Sequence, residues 1–339
     1  MLAKRSRPVK ESLTVSRQVP ASRSVAAFDS ALAAIEGLDV ERDAPLAPLT
    51  TLRIGGPAEL LVTAHTQRAL VALLRLTCAE GIPLHLLGLG SNVLYPDEGM
   101  VGVVARLGGV FARTRMLGHR LRAGGAVPLP RLARSTAARG LIGLEAFSGF
   151  PSSVGGAVVM NAGCYGVEIK DVLVSVTGIH RDGARRRYRP ADLEAAYRST
   201  ALQGTGVVVA SATFELRPGS SAAALHRIDE LNRRRWASLP SGLPNAGSIF
   251  RNPPGDHAGR LIDAVGLKGT RIGSAEISAK HANVIVNSGG AKADDVLGLM
   301  LVARSAVRAA FAVELEPEIV LEGPLRERWR SADPIDAEA

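Results

Sequence analysis

Two glycine-rich segments constrain this chain more than any other feature of its sequence. The first is L-G-L-G-S-N at residues 87–92, which follows an apolar run that begins at Ile82. The second is G-F-P-S-S-V-G-G-A-V-V-M-N-A-G-C-Y-G at residues 149–166. Glycines lack a Cβ and let backbone N–H groups converge on a phosphate, while serine and asparagine add side-chain donors. Two such loops suit a long ligand with a pyrophosphate at its middle.

The first loop alone leaves two interpretations open. A glycine-rich turn after a strand is common, so the segment is typical of a plain tight turn as well as of a phosphate loop. The second loop adds serines and an asparagine in an apolar setting. The pair together therefore favours the interpretation as a ligand site.

Both loops resemble the flavin-binding core of the UDP-N-acetylenolpyruvoylglucosamine reductase (MurB) family, which belongs to the vanillyl-alcohol-oxidase/PCMH class of FAD proteins. Three further segments match that family in the same order. They are Y-R-S-T at residues 197–200, G-S-I-F-R-N-P at 247–253 and E-P-E at 316–318. The resemblance covers the chain from about Thr50 to about Gly323. Because the last part lacks an extended tyrosine-bearing loop, the chain resembles the shorter, second type of this family.

The resemblance implies that FAD is the cofactor and that the two loops hold it. The G-x-G-x-x-G fingerprint of a separate nicotinamide domain is absent after a strand. NADPH, the reductant that the resemblance implies, would therefore visit the same flavin face as the second substrate, in turn. The candidate FAD contacts are Gly88, Gly90, Ser91, Asn92, Gly149, Ser152, Ser153, Gly155, Gly156, Asn161 and Gly163.

The implied reaction reduces UDP-N-acetylglucosamine enolpyruvate to UDP-N-acetylmuramate, a peptidoglycan precursor. NADPH reduces the flavin, and the flavin N5 then passes a hydride to the enolpyruvyl group. Hydride addition leaves charge on the adjacent carbon and its carboxylate. Such an enolate-like species needs preorganised cationic or hydrogen-bonding groups and then a nearby proton donor.

Three residues match the catalytic positions of the family. Arg198 would bind the carboxylate, because a guanidinium offers a planar, bidentate fork and stays charged. Ser248 would donate the proton, which a weak acid can do when the acceptor is strongly basic. Glu318 would donate to, or orient groups around, the intermediate. Glu316 shares its face by period-two alternation, so the sequence alone does not choose between the two carboxylates.

Residues beside these positions are candidate substrate contacts: Tyr197, Arg251 and Asn252. Arg251 stands where the family often has lysine, which preserves a positive charge. Other departures from the family are Ser152 in the second loop, Leu239 before Pro240, and Val284 where phenylalanine is common. We expect these to affect packing or the flavin edge more than the catalytic residues.

Composition limits the other classes of function. No apolar run approaches the roughly 18 residues that span a bilayer, and no leader peptide is recognisable, so we expect a cytoplasmic protein without a membrane partner. The chain has 2 cysteines and 7 histidines, which form no disulfide framework or metal-ligand spacing. We expect no metal. No obligate protein partner is evident.

The net charge of +9 invites a nucleic-acid function, but its location argues against a specific one. Residues 1–25 carry six basic residues and one acid, which leaves only +4 for the rest of the chain. Aromatic residues make up 4% of the chain, so the stacking platforms of a single-strand binder are missing. We expect a disordered basic tail that is capable of weak polyanion binding at most.

The order of strand and helix patterns predicts an α+β fold, with a two-part PCMH-type FAD-binding region and a smaller α+β substrate-binding domain. The predicted boundaries are 1–25 for the tail, 26–107 and 108–220 for the FAD-binding subdomains, 221–325 for the substrate domain and 326–339 for a polar tail. Helices are predicted from Thr66 to Gly81 and over Leu129–Arg139, Ala222–Trp236 and Asp294–Phe311. Strands are predicted over Ile82–Leu87, Val101–Leu107, Val172–His180, Arg186–Arg189, Val207–Leu216, Ala282–Asn287 and Val313–Leu321.

Two other functions remain as alternatives. The fold could serve another FAD-dependent sugar oxidoreductase, whose flavin would react quickly with oxygen and not with NADPH. A binding protein for RNA or a protein partner is the other alternative. The presence of Arg198, Ser248 and Glu318 argues against it.

Overall fold

The computed structural model describes residues 25–240 and 242–332. The predicted basic tail lies outside the described residues except for Val25, and so does the end of the predicted polar tail. In the described part, the α-helices are α1 (Val25–Ala33), α2 (Gln67–Ala79), α3 (Leu129–Ala137), α4 (Val154–Val159), α5 (Ser221–Ser238), α6 (Ala258–Ala264), α7 (Ala293–Phe311) and α8 (Pro324–Ser331).

The strands form three sheets of three or more strands and three two-stranded pairs within the described residues. They are β1 (Leu38–Pro45), β2 (Pro57–Ala64), β3 (Leu84–Leu86), β4 (Val93–Leu94), β5 (Met100–Leu107), β6 (Thr114–Leu117), β7 (Arg120–Gly124), β8 (Leu141–Ile142), β9 (Gly163–Cys164), β10 (Val167–Glu168), β11 (Leu173–Ile179), β12 (Arg185–Tyr188), β13 (Val208–Glu215), β14 (Arg217–Pro218), β15 (Arg271–Ile272), β16 (Ala275–Ile277), β17 (Ile285–Asn287) and β18 (Val320–Leu321).

The first sheet has the order β1-β2-β5-β3 and packs against α2. The β2–β5 and β3–β5 pairs are parallel, and helix α2 joins β2 to β3, the two strands beside β5. Helix α2 begins as predicted, because the Thr66 hydroxyl accepts a hydrogen bond from the Ala69 N–H at 3.1 Å. Its buried face carries Leu70, Leu73 and Leu74, which have no exposed surface. Burial of this leucine face fixes the helix on the sheet.

The second sheet is antiparallel, with the order β12-β11-β13-β7-β6. Helices α3 and α4 cover one face through an apolar core that includes Leu132, Val158 and Phe214. The other face contributes Ile179 and Val208 to the core beneath the first sheet. The two sheets therefore share a packed interface, and the second glycine-rich segment, which contains α4, packs on the other face of the second sheet.

The last part of the chain forms a third, smaller unit. Strands β15, β16 and β17 form an antiparallel sheet that packs with α6 and α7. Helix α7 has Asp294 and Asp295 in its first turn and Arg308 in its last, as the helix dipole favours. The fold is thus α+β: a region with two larger sheets is followed by a smaller α+β unit.

Direct contacts join the third unit to the first sheet region. Strand β18 pairs in parallel with β4. The Asn287 amide donates to the Leu52 carbonyl at 3.0 Å, and an Asp97 carboxylate oxygen accepts the Ala293 N–H at 2.8 Å. Residues of the last unit are thereby held beside the first glycine-rich loop.

Most predicted elements are present, with two corrections. The predicted strand over Val313–Leu321 is reduced to β18 and a single bridge between Phe250 and Pro317, because proline cannot donate to a strand ladder. Residues 326–331, predicted to begin a polar tail, continue α8, whose Leu325 is fully buried. The domain boundaries stay predictions. None of the described helices is long and apolar enough to cross a membrane.

Candidate active site

Contacts within the chain fix the conformation of the first glycine-rich loop. Gly90 is buried with φ +63°, and a Cβ there would lie 2.1 Å from the Leu49 carbonyl oxygen. The Thr51 N–H donates to the Gly90 carbonyl at 2.9 Å. Only glycine fits this left-handed, closely approached position. Gly88 differs, because it is exposed and its missing Cβ faces the Ser153 hydroxyl at 2.8 Å, so the two loops touch.

The second loop leaves an open surface at the start of α4. The buried Ser153 hydroxyl accepts the Gly156 N–H at 3.2 Å, and the buried Ser152 hydroxyl donates to the Ser153 carbonyl at 3.0 Å. Gly156 is exposed, and a Cβ there would meet only these two hydroxyl oxygens, both at 3.4 Å. The chain therefore leaves room above Gly156 that a side chain would fill. Small groups and serine hydroxyls around that room fit a pyrophosphate.

Other glycines of the second loop serve close approaches within the chain. A Cβ at Gly149 would lie 2.5 Å from the Asn232 amide oxygen on α5. One at Gly155 would lie 3.1 Å from the Gly125 carbonyl, and one at Gly163 would lie 2.8 Å from Glu168. The structure thus gives these three glycines a packing role, and their contact with FAD stays a prediction.

Asn161 and Asn92, both predicted to contact FAD, have partners within the chain. Asn161 is buried with φ +40°. Its amide donates to Glu168 at 3.1 Å and to the Ala196 carbonyl at 2.9 Å, and its oxygen accepts the Lys170 N–H at 3.2 Å. These contacts use both N–H donors of the Asn161 side chain.

Asn92 connects the first loop to the predicted catalytic glutamate. Its amide donates to the Glu318 carbonyl at 3.0 Å, and its own carbonyl accepts the Val320 N–H at 3.1 Å. Ser91, the preceding residue, is half-buried. The loop that is predicted to hold the flavin therefore also fixes the backbone of Glu318.

The structure brings two predicted catalytic residues into direct contact. The Arg198 Nε lies 2.6 Å from a Glu318 carboxylate oxygen, and the two side chains are 20% and 15% exposed. Arg198 has φ +54°, a conformation that costs free energy in a residue other than glycine. Gln203 donates to the Arg198 carbonyl at 2.9 Å, and the Thr200 hydroxyl donates to the Val159 carbonyl at 2.7 Å. The Thr200 hydroxyl therefore anchors this turn.

Ser248 enters the same region through backbone pairing. The Glu318 N–H donates to the Ile249 carbonyl at 2.8 Å, and the Arg251 N–H donates to the Glu316 carbonyl at 2.9 Å. Ser248 itself is half-buried, one residue before this pairing begins. The segment that carries Ser248 thus runs beside the segment that carries Glu318.

The two glutamates that the sequence could not distinguish have different environments. Glu318 contacts Arg198, whereas Glu316 is 74% exposed and lies 3.9 Å from an Arg251 nitrogen. The structure places Glu318, and not Glu316, in the cluster with Arg198.

A side chain from another motif secures the Ser248 segment. The Asn283 amide donates to the Phe250 carbonyl at 2.8 Å, and its oxygen accepts the Phe250 N–H at 2.9 Å. Asn283 is 3% exposed. The Asn283 side chain thus makes the two backbone hydrogen bonds that a neighbouring strand would otherwise make with Phe250. Through Asn283, the S-A-K-H-A-N run of residues 278–283 therefore fixes the backbone of the segment that carries Ser248.

The three predicted substrate contacts lie around the same cluster. Tyr197 is 45% exposed, its ring is 5.0 Å from the Arg198 guanidinium carbon, and its hydroxyl accepts the Asn252 N–H at 3.4 Å. The Asn252 side chain accepts the Ala258 N–H at 3.1 Å. Among the described residues, the buried Nε of Arg251 has no hydrogen-bond partner. A buried N–H that has no partner within the protein is available for a hydrogen bond to a ligand.

A cavity of about 470 Å³ lies beside Arg198. Its lining comprises Tyr197, Arg198 and Asn252 together with residues of the turn over 163–171. Hydrogen bonding to Lys170 lowers the pKa of the Glu168 carboxyl, so this lining acid is ionised at neutral pH. The cavity therefore brings cations and carboxylates together next to Arg198.

A second cavity, of about 500 Å³, lies beside the first loop. Its lining includes Thr50, Thr51, Arg53 and Leu89, together with residues 242–244. Sequence reasoning did not select the segment T-L-R-I-G-G-P at residues 51–57 or its preceding threonine as a site. The left-handed backbone of Arg53, with φ +58°, and the contact of Thr51 with Gly90 depend on the fold. In the sequence, the adjacent glycines Gly55 and Gly56 are the feature that could have indicated a site in this segment.

The described ranges hold no group of three or more histidine, cysteine, aspartate or glutamate side chains that could bind a metal ion. Cys78 is exposed and Cys164 is partly buried, and both are free thiols.

The fold and the two loops define a flavoprotein. An FAD binding domain family matches residues 58–188, which contain both glycine-rich segments. The open surface at Gly156 lies within that match.

The remaining comparisons identify the family. The C-terminal domain of UDP-N-acetylenolpyruvoylglucosamine reductase matches residues 239–321. The chain is similar to UDP-N-acetylenolpyruvoylglucosamine reductase 2 of Symbiobacterium thermophilum, at 48% identity over 84% of this chain and 92% of that protein. A reductase of Synechococcus sp. is 42% identical over 84% of this chain and 91% of its own length. The crystal structure of the Thermus caldophilus reductase (MurB) is 38% identical, covers 84% of this chain and 99% of that chain, and gives a TM-score of 0.72. The chain belongs to the UDP-N-acetylenolpyruvoylglucosamine reductase family.

Proposed function

We propose that this protein reduces UDP-N-acetylglucosamine enolpyruvate to UDP-N-acetylmuramate, with FAD as its cofactor and NADPH as its reductant. The observation that carries the proposal is the contact of Arg198 with Glu318 beside the Ser248 segment, next to the flavin-binding loops. Family membership supports the same reaction. FAD, when bound, supplies the carrier that accepts a hydride from NADPH and gives it to the enolpyruvyl carbon.

Arg198 binds the carboxylate of the enolpyruvyl group in this proposal. Glu318 holds its Nε at 2.6 Å, which orients the rest of the planar guanidinium. A carboxylate is a good partner for such a fixed fork, and the positive charge stabilises negative charge that develops next to it. Glu318 then acts first as a positioning group for Arg198. Its own backbone is fixed by Asn92 and Ile249.

Ser248 delivers a proton from its hydroxyl to the carbon next to the carboxylate. A serine hydroxyl is a weak acid, but an enolate-like carbon is a strong base, so correct placement matters more than acidity. Asn283 holds the following residues in place through both backbone groups of Phe250. Arg251, with its unpartnered Nε, and Asn252 and Tyr197 bind the nucleotide sugar.

The two glycine loops hold FAD in this proposal through backbone N–H groups and the serines at the start of α4. The chain leaves its open surface there, at Gly156. NADPH and the nucleotide sugar then use the same side of the site one after the other. We place the enzyme in the cytoplasm, with small-molecule nucleotides as its partners and without a membrane or a specific nucleic-acid partner.

An anaerobic titration tests the proposal. The purified protein should be yellow, NADPH should bleach it, and UDP-N-acetylglucosamine enolpyruvate should restore the colour. A flavin that oxygen reoxidises quickly, but that the enolpyruvyl nucleotide leaves reduced, would instead assign the protein to another FAD-dependent sugar oxidoreductase.

A further inference from the structure

The cavity beside Arg198 contains a second cation that no motif singled out. Lys170 lines this cavity together with Tyr197 and Asn252. Its amine lies 2.7 Å from a Glu168 carboxylate oxygen, and its side chain is 41% exposed. The cavity thus has two cations, Arg198 and Lys170, each with its own carboxylate partner.

The two ion pairs are not equivalent. Glu318 contacts the Nε of a guanidinium that is only 20% exposed. The Lys170 amine is instead a compact charge on a flexible four-carbon stem, with three donors that rotate freely. An exposed ion pair contributes little to stability, so Lys170 can change partners at low cost.

Glu168 would keep a partner when Lys170 turns away. The oxygen that accepts from Lys170 also accepts from the buried Asn161 amide at 3.1 Å. The Glu168 N–H is bound to Asp171 at 2.8 Å, and the Lys170 N–H is bound to the Asn161 oxygen at 3.2 Å. The backbone of this turn is therefore fixed while the lysine side chain is free to move. The Lys170 amine can therefore leave Glu168 and bind an anionic ligand without a change in the backbone of the turn.

We infer that Lys170 is a second anion-binding residue of this cavity, which contacts a phosphate oxygen of a nucleoside diphosphate. Glu168 is its counter-ion in the absence of ligand. The inference rests on the proposed function, because that function brings two such ligands to this site. The diphosphate belongs either to the nucleotide sugar or to NADPH, and binding measurements on each distinguish the two sources.

The main test is Lys170→Met in the FAD-loaded protein. Dissociation constants for UDP-N-acetylmuramate and for NADP⁺ are measured by calorimetry and by the change in flavin absorbance. Loss of one charge-assisted contact should raise the dissociation constant about 10-fold for the ligand whose phosphate Lys170 contacts. Lys268→Met is the matched control, because Lys268 pairs with Asp263 at 2.6 Å but does not line this cavity. The control should bind both ligands as the parent protein does.

Glu168→Gln tests the opposite direction. Glutamine keeps an oxygen that can accept from Asn161 but loses the negative charge, so the Lys170 amine is no longer neutralised. Binding of the same ligand should become a few-fold tighter at low salt, and added salt should reduce the difference. Unchanged or weaker binding in Glu168→Gln, in a protein that keeps its FAD, would contradict the counter-ion role.

UDP-N-acetylglucosamine separates a phosphate from a carboxylate contact, because it has the diphosphate but lacks the lactyl carboxylate. When the nucleotide sugar is the ligand, Lys170→Met should weaken the binding of UDP-N-acetylglucosamine and of UDP-N-acetylmuramate by the same factor. An effect on UDP-N-acetylmuramate alone would overturn the phosphate assignment. Equal affinity of Lys170→Met and the parent for every ligand would overturn the inference itself. Failure of the parent protein to bind the nucleotide sugar would show instead that the proposed function is wrong.

Discussion

The proposed flavin side and the proposed substrate side of this site are formed by different kinds of chemical groups. The flavin side uses glycines, serine hydroxyls and backbone groups of two loops, with few charges. The substrate side uses charged side chains, of which Arg198 comes from the second sheet region and Glu318 from the last unit. Because the charged residues of the substrate side are not among the predicted flavin contacts, the comparison predicts that cofactor binding and turnover can be damaged separately.

Substitution of Ser248 should give the largest separation. Ser248→Ala should let NADPH reduce the flavin at a near-normal rate, while reoxidation by the enolpyruvyl nucleotide slows by about 10² to 10⁴, the usual loss when a proton donor is removed. Stopped-flow absorbance measures both steps in one preparation. Equal slowing of both steps would mean that the serine is structural, and the proton-donor role would have to be abandoned.

Arg198→Met should also act on the substrate side alone, with a smaller effect on chemistry and an added loss of binding. A charge-assisted hydrogen bond contributes about 1.5 to 3 kcal/mol, so the second step should slow by roughly 10- to 100-fold. The substrate should also bind more weakly, because its carboxylate is present before the reaction. Slower reduction by NADPH in this variant would show that Arg198 belongs to the flavin side as well.

The two glycine loops should respond differently to valine, although both lie on the flavin side. Gly156→Val should give a folded protein with little FAD, because the side chain would fill an open surface without striking the chain. Gly90→Val should instead lower the yield of folded protein, because its Cβ would lie 2.1 Å from the Leu49 carbonyl oxygen at a φ of +63°. Circular dichroism and the ratio of flavin to protein absorbance test both variants. A Gly156→Val protein with full FAD content would break the assignment of this loop.

Asn161 tests whether a residue predicted for the flavin side serves the substrate side. Asn161→Ala would remove two hydrogen bonds to side chain and backbone partners and one to the Lys170 N–H. We expect a rise in KM for the nucleotide sugar of about 10-fold with modest loss of FAD, since each buried hydrogen bond contributes about 1 kcal/mol. Measurement of KM and FAD content in the same preparation decides between the sides. Loss of FAD together with an unchanged KM in the flavin-loaded fraction would show that Asn161 serves cofactor binding.

Removal of residues 1–24 should have the smallest effect. An unpatterned basic segment has no apolar face to dock, so turnover and thermal stability should stay nearly unchanged. A clear loss of FAD or of activity in the shortened chain would show that these residues contact the body.

Sequence patterns predicted the parts of the fold that depend on local chemistry. The Thr66 cap and the leucine face of α2 are examples, because spacing along the chain determines them. The environment of each glycine could not be predicted in the same way. Gly90 and Gly156 look alike in the sequence, but one is buried against Leu49 and the other is exposed. Contacts between distant segments create that difference.

The same limit applied to the acidic residues and to Asn161. Period-two alternation put Glu316 and Glu318 on one face, and only the contact of Glu318 with Arg198, a residue 120 positions away, separates them. Asn161 lies in a loop that resembles a flavin site, and its side chain nevertheless binds two neighbouring turns. Residue type and position in a motif therefore predicted where the site lies better than they predicted which contact each residue makes.

The parallel pair of β4 and β18 has a consequence for how the protein is made. It joins Val93 to Val320 and brings the Asn92 amide to the Glu318 carbonyl, two residues separated by 226 positions in the chain. During synthesis the chain leaves the ribosome from its N-terminus, and earlier segments can fold while later ones are still being added. The two glycine-rich loops are thus complete well before the segment that carries Glu318 exists. The proposed catalytic site is therefore completed only when almost the whole chain has been translated.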